Sequence, residues 1–212
     1  MNKNVPNILT MSRIAFTPLV ILFFLLPIPH GIGVYIALGI YVLGCFTDLL
    51  DGKIARKYNL ISDFGKFMDQ IADKFITTTA MILVLFVNVF QTLFNNSSLL
   101  WLEVVVLLVV VLRDILISGI RMVAANKNFV IPADIFGKVK SLFLDVSNMI
   151  LMLYIALNVS FDNIYVDVVG YVGFALMMIG LLFTIISCIN YSKNAVKALS
   201  NMKKAETETE NK

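Results

Sequence analysis

Lysine and arginine occur in only four stretches of this chain, and that pattern restricts its fold more than any other feature. All seventeen fall within positions 3–13, 53–74, 113–140 and 193–212, and none lies in 27–33, 91–101 or 158–167. Between these stretches lie long apolar runs. The chain is 59% hydrophobic and 15% charged over 212 residues, where a soluble domain carries about a quarter charged residues. Basic and non-basic turns that alternate along apolar runs are the positive-inside pattern of a multi-pass membrane protein. The reading is an all-α, polytopic membrane protein with six transmembrane helices and both termini in the cytoplasm. Its net charge of +3 is too small to suggest a nucleic-acid partner.

The chain then divides as follows. Residues 1–13 mix apolar and polar side chains behind Pro6 and suit an N-terminal interfacial amphipathic helix. A first span, 14–26, ends at Pro27-Ile28-Pro29-His30-Gly31, with no small-residue cleavage site, so it is read as retained. A second helix runs from about Gly33 to Lys57, and a third from Gly65 to about Phe90. Asn95-Asn96-Ser97-Ser98 marks a turn. A fourth helix spans about Leu99–Ala125 and a fifth starts near Ala133. A turn at 158–163 leads to a sixth helix, about Asp167–Tyr191. Residues 1–195 form the membrane domain, and 196–212, with Glu206, Glu208 and Glu210, read as a charged, disordered cytoplasmic tail. Cys45 and Cys188 sit in apolar runs and read as structural. His30, the only histidine, falls in a turn and reads as solvated.

Against this background one stretch is anomalous: Asp48-Leu-Leu-Asp51-Gly52-Lys-Ile-Ala55-Arg56, eight residues, then Gly65-Lys-Phe-Met-Asp69-Gln-Ile-Ala-Asp73. At ~100° per residue, Asp48, Asp51, Gly52 and Ala55 fall within an arc of about 100° on one helix. Gly65, Asp69 and Asp73 follow an i, i+4, i+8 row on the next. Two such helices can point four carboxylates at one another. Carboxylates so close cannot all ionise without a counter-charge, and an all-oxygen set selects Mg²⁺, Mn²⁺ or Ca²⁺ over zinc. The small residues leave room beside the metals for a ligand's phosphates or base. The competing reading pairs each Asp with Lys53, Arg56, Lys66 or Lys74 as helix-end salt bridges; the shared spacing of all four speaks against it.

This stretch resembles, position for position, the signature of the CDP-alcohol phosphotransferase family, which also has six helices and a cytoplasmic-side site. The resemblance implies transfer of a phosphatidyl or similar group from a CDP-linked donor to an alcohol, with release of CMP. It implies that Asp48, Asp51 and Asp69 ligate two divalent cations, Mg²⁺ or Mn²⁺, with Asp73 near the second. Asp73 would also be the general base for the acceptor hydroxyl. Gly52, Ala55 and Gly65 would admit cytidine, and Arg56 would contact the diphosphate. A homodimer is likewise implied.

The acceptor is addressed by a second, basic region. Arg113-Asp114-x-x-x-Ser118-x-x-Arg121 places three polar side chains near the cytoplasmic end of the fourth helix. Gly137-Lys138-x-Lys140-Ser141 opens the fifth, where free N–H groups and two lysines can hold an anion. These cations read as a site for a phosphorylated acceptor, or as anchors for anionic headgroups. Together with Pro6-Asn7-Ile8-Leu9-Thr10-x-x-Arg13, whose Asn7, Thr10 and Arg13 are accessory candidates, they resemble the phosphatidylglycerophosphate synthase branch of the family. There the donor is CDP-diacylglycerol and the acceptor sn-glycerol 3-phosphate. Ser141 departs from that branch, where Thr is common. Inositol phosphate, or phosphatidylglycerol to give cardiolipin, is an anionic acceptor that charge alone does not exclude. Asp145 either partners Lys138 or Lys140 or joins a polar network with Asn148. A divalent-cation transporter is the reading from another class, but the far halves of the spans, such as 81–87 and 104–112, lack the polar groups that such a path needs.

Overall fold

In the computed structural model every described element is a helix. Residues 5–58, 63–96, 99–126, 135–161 and 164–210 are described, with side chains for 11–47, 71–72, 74–96, 99–121, 135–161 and 165–194. The helices are α1 (Val5–Leu25), a 3-10 turn (Pro29–Gly31), α2 (Ile32–Tyr58), α3 (Asp63–Phe86), α4 (Val89–Phe94), α5 (Leu99–Asn126), α6 (Ile135–Ser160) and α7 (Ile164–Glu210). Among the described residues three stretches are long and apolar enough to cross a bilayer: 29–47, 135–160 and 165–194. Residues 11–25 and 74–86 form shorter apolar helices. Helix α5 carries Glu103, Arg113, Asp114 and Arg121 within its largely apolar length. The protein is therefore a helical membrane protein.

Three boundaries differ from the sequence expectation. The interfacial helix and the first span are one continuous helix, α1, with Pro18 inside it. The third helix stops at Phe86, short of Phe90, because Asn88 turns left-handed (φ 55°). Asparagine reaches that region at lower cost than most side chains, and the chain restarts as the short α4. The expected disordered tail instead continues α7 as helix to Glu210. Its Ala, Lys, Leu, Met and Glu residues are good helix formers, which offsets the low hydrophobicity that suggested disorder.

Helices α6 and α7 form the most extensive pairing; α1 packs across α2 and α3, and α6 also meets α2 and α3. The α6–α7 seam depends on small residues. A Cβ at Gly173 would lie 2.6 Å and 2.8 Å from the Leu151 side chain, and one at Gly180 2.8 Å from Leu144. Both leucines are fully buried, and the Ser147 hydroxyl donates to the Gly173 carbonyl at 2.8 Å. Close backbone approach is the usual way membrane helices associate. Gly173→Ala is therefore expected to destabilise the protein by about 1–3 kcal/mol, read as earlier thermal unfolding in detergent. Unfolding at the wild-type temperature would show that the seam can yield.

The two ends of the bundle are chemically distinct. At one end the described residues around His30, Leu93, Ser160 and Tyr171 gather. Ser160 donates to the His30 carbonyl at 2.7 Å, and the Tyr171 hydroxyl to the Leu93 carbonyl at 3.1 Å. Glu103 accepts the Phe90 N–H at 2.8 Å, so it caps α4 where Asn88 makes no side-chain cap of its own. Phe90 and Phe94 meet Phe174 edge-on with centroids 4.8 Å and 4.9 Å apart, and Phe94 meets Tyr171 at 5.3 Å. The described side chains of the basic stretches lie at the other end. Cys45 and Cys188 form no disulfide, and His30 is exposed, in a left-handed turn conformation.

Candidate active site

Helical backbone runs through the whole of the anomalous motif. Asp48, Asp51, Gly52, Ala55 and Arg56 occupy the last turns of α2, and Gly65, Asp69 and Asp73 the first turns of α3. Residues 59–62 separate the two helices, so the i, i+3 and i, i+4 spacings translate directly into shared faces. The side chains of these eight residues lie outside the described set, as do those of Asn7 and Thr10 in the first turns of α1. Arg13 is fully buried on α1, and the Thr17 hydroxyl bonds to its carbonyl at 3.1 Å. Among the described residues no three His, Cys, Asp or Glu side chains converge as a metal site requires.

The basic region is described in detail, and a carboxylate sits at its centre. Asp114 Oδ1 accepts from Arg113 Nη1 at 2.8 Å and from Lys140 Nζ at 2.6 Å, while Oδ2 accepts from Lys140 at 2.8 Å. Its backbone carbonyl accepts from Lys74 Nζ at 3.1 Å, and Lys74 also donates to the Ser118 hydroxyl. Arg113 Nη2 donates to the Ser187 hydroxyl. A Cβ at Gly137 would lie 3.0 Å from that same nitrogen, so the glycine makes room for the guanidinium in the opening turn of α6. Ser141 donates to the Gly137 carbonyl at 3.2 Å.

The structure thus joins Arg113, Ser118, Lys140, Gly137 and Ser141 through Asp114 and Lys74. Arg121 and Lys138 stand apart as exposed cations, Arg121 lying 5.5 Å over the Tyr191 ring. Lys140 is 3% exposed. Lys74, the residue after Asp73 on α3, ties the motif helix to α5.

Asp145 resolves to the second of its two expected settings. Its Oδ1 accepts from the Thr77 hydroxyl at 2.8 Å and the Tyr41 hydroxyl at 3.2 Å. Asn148 Nδ2 reaches the Tyr41 oxygen at 3.4 Å and the Thr77 carbonyl at 3.5 Å. Tyr41 and Asn148 are fully buried.

Comparison with known proteins decides what these elements amount to. The sequence profile of the CDP-alcohol phosphatidyltransferase family matches residues 3–186. The chain belongs to this family. Relatives called CDP-diacylglycerol–glycerol-3-phosphate 3-phosphatidyltransferase include one from Rickettsia bellii, 32% identical over 92% of this chain and 97% of its own length. One from Shigella flexneri is 30% identical over 90% of this chain and 94% of its own length. One from Bacillus subtilis is 30% identical over 65% and 70%.

Seen as a CDP-alcohol phosphatidyltransferase, the chain offers a donor set of suitable chemistry. The four carboxylates on the last turns of α2 and the first turns of α3 are hard oxygen donors, whose chemistry suits Mg²⁺ or Mn²⁺ and not a thiophilic metal. Sequence reasoning overlooked Asp114, Lys74 and Ser187 as parts of the basic region. Asp114 did carry a signal, since an acid beside Arg113 in an apolar helix needs partners at the same depth. Nothing local marked Ser187, 74 positions from Arg113.

Proposed function

We propose that this protein transfers the phosphatidyl group of CDP-diacylglycerol to sn-glycerol 3-phosphate, giving phosphatidylglycerophosphate and CMP. The observation that carries the reading is the likeness, over nine-tenths of this chain and nearly all of theirs, to relatives that bear this activity in their names. On this reading the chain crosses the cell membrane six times and has both termini and the active site on the cytoplasmic side. It works as a homodimer.

Asp48, Asp51, Asp69 and Asp73 would hold two divalent cations, Mg²⁺ or Mn²⁺. Bound there, the cations would neutralise the donor diphosphate and the charge that grows on departing CMP. Arg56 contacts the diphosphate, and Gly52, Ala55 and Gly65 let cytidine approach the backbone. Asp73 removes the proton from the acceptor hydroxyl, whose oxygen attacks the phosphatidyl phosphorus as the bond to CMP breaks. The acceptor phosphate lies against Arg113, Ser118, Arg121, Lys138, Lys140 and Ser141. Asp114 holds Arg113 and Lys140 in fixed orientations before the substrate arrives, while exposed Arg121 and Lys138 close on the phosphate. Asn7, Thr10 and Arg13 border the same end from α1.

Purified protein in detergent, given CDP-diacylglycerol, Mg²⁺ or Mn²⁺ and a panel of alcohols, is expected to release CMP with glycerol 3-phosphate. Release only with inositol phosphate or phosphatidylglycerol would replace the acceptor. Divalent-cation flux in liposomes without CMP release would replace the enzyme reading with a transporter.

A further inference from the structure

The network around Asp145 lies outside every role assigned so far, yet its partners come from the two motif helices. Thr77 continues the row of Gly65, Asp69 and Asp73 by one further step of four. It is therefore turned about 40° from Asp73 and lies ~6 Å along the helix from it. Tyr41 precedes Asp48 by seven residues, so it falls within about 20° of Asp48 and ~10 Å along α2. Both hydroxyls donate to one oxygen of Asp145, at 3.2 Å and 2.8 Å, and Asp145 belongs to a third helix, α6. Asn148, one turn on, bonds to the same two residues.

A second observation places the motif helices in contact at this level. A Cβ at Gly44 would lie 2.4 Å from the Ile76 side chain. Gly44 is four residues before Asp48, and Ile76 is three after Asp73. At Gly44, α2 and α3 are pressed together, and about one turn beyond that contact the sequence has Asp48 on α2 and Asp73 on α3.

We propose that Asp145, held by Tyr41, Thr77 and Asn148, sets the rotation and register of α2 against α3 and thereby positions the carboxylate row for divalent metal. The inference rests on the reading of that row as a metal site. Sliding or turning either helix breaks a hydrogen bond to Asp145, and at fully buried Tyr41 and Asn148 the polar group left over is costly. The network thus resists the small displacements that would spread the metal ligands. Outer groups that orient metal ligands affect metal affinity by about 10- to 100-fold, and that is the effect assigned to Asp145. It is a positioning residue, remote from the reacting atoms.

The test uses Thr77→Val and Tyr41→Phe, alone and together. Each keeps the shape of the side chain and removes one hydroxyl, so the helices still pack. Mn²⁺ binding to the full-length protein in detergent, without substrate, is followed by electron paramagnetic resonance beside thermal unfolding. The double variant is expected to bind Mn²⁺ about 10-fold more weakly, with KM for glycerol 3-phosphate within about twofold of wild type. Asp145→Asn, which keeps an acceptor oxygen, is expected to lie between the two. Unchanged Mn²⁺ affinity with a lowered unfolding temperature would make the network purely structural and overturn the proposal. Wild type that binds no Mn²⁺ would overturn the metal reading itself and this inference with it. Asp69→Asn serves as the control that abolishes binding.

Discussion

Replacing Asp73 with asparagine is expected to lower CMP release by about 10³-fold while leaving the unfolding temperature near wild type. Asparagine has nearly the same shape and keeps a carbonyl oxygen, so helix α3 has no reason to change. What it cannot do is accept the proton of an attacking hydroxyl, and it is a poorer ligand for a hard cation than a carboxylate. The two losses separate kinetically. A lost base lowers kcat at every metal concentration, whereas a lost ligand is partly recovered by excess Mg²⁺ or Mn²⁺. The fall is expected to persist at saturating metal, with little change in KM for glycerol 3-phosphate. A variant that retained more than a tenth of wild-type turnover would remove Asp73 from the role of base.

The second large effect concerns stability. Asp114→Ala is expected to destabilise the protein by about 3 kcal/mol, because it removes one side of a buried ion pair. Lys140 is 3% exposed and makes two bonds to this carboxylate, at 2.6 Å and 2.8 Å. Arg113 loses one partner but keeps Ser187. Lys74 keeps the backbone carbonyl of residue 114, which the substitution does not touch. The cost should therefore centre on Lys140, and a double-mutant cycle can show it. Lys140→Met added to Asp114→Ala is expected to recover most of the lost stability in thermal unfolding, since an apolar pair of similar volume needs no counter-charge. If the single variant unfolded with the wild type, the pair would not be what holds Lys140 inside. The double variant is also expected to have lost affinity for the acceptor phosphate, which separates the fold's need for the pair from the proposed site's need for the lysine.

Where the sequence was legible, local physics was enough. Period and breakers placed α2 at about Gly33–Lys57 and α5 at about Leu99–Ala125; the structure has Ile32–Tyr58 and Leu99–Asn126. The turn chemistry of Asn95 was readable too, and that residue is left-handed. The break at Asn88 was missed because a single Asn within an apolar run fits a helix interior as well as a turn. The cap that makes the break tolerable comes from Glu103, fifteen positions later in the chain. The basic segments could be picked out, but not their internal accounting. Lys140 reads in sequence as a free cation that awaits a ligand; its carboxylate partner, Asp114, lies on another helix. Asp145 could be narrowed to two settings, and Asn148, on its own helix at i+3, pointed to the right one. Tyr41 and Thr77, 104 and 68 positions away, could not be found without the fold. Local pattern thus delivers helices and signatures, whereas the electrostatic balance of a site depends on contacts between remote segments.

The aromatic cluster at the end remote from the motif has an electrical consequence. Phe90, Phe94, Tyr171 and Phe174 interlock there, above buried Val89 and Leu93. The cluster belongs to the apolar part of the bundle, and a transmembrane voltage drops across such low-dielectric surroundings, with little of it across a basic end that opens to water. Charged substrates that enter and leave at that basic end then move through almost none of the field. Turnover in a sealed, energised vesicle should accordingly be indifferent to membrane potential. A rate that changed with the imposed potential would place the moving charges deeper in the bundle than the proposed site does.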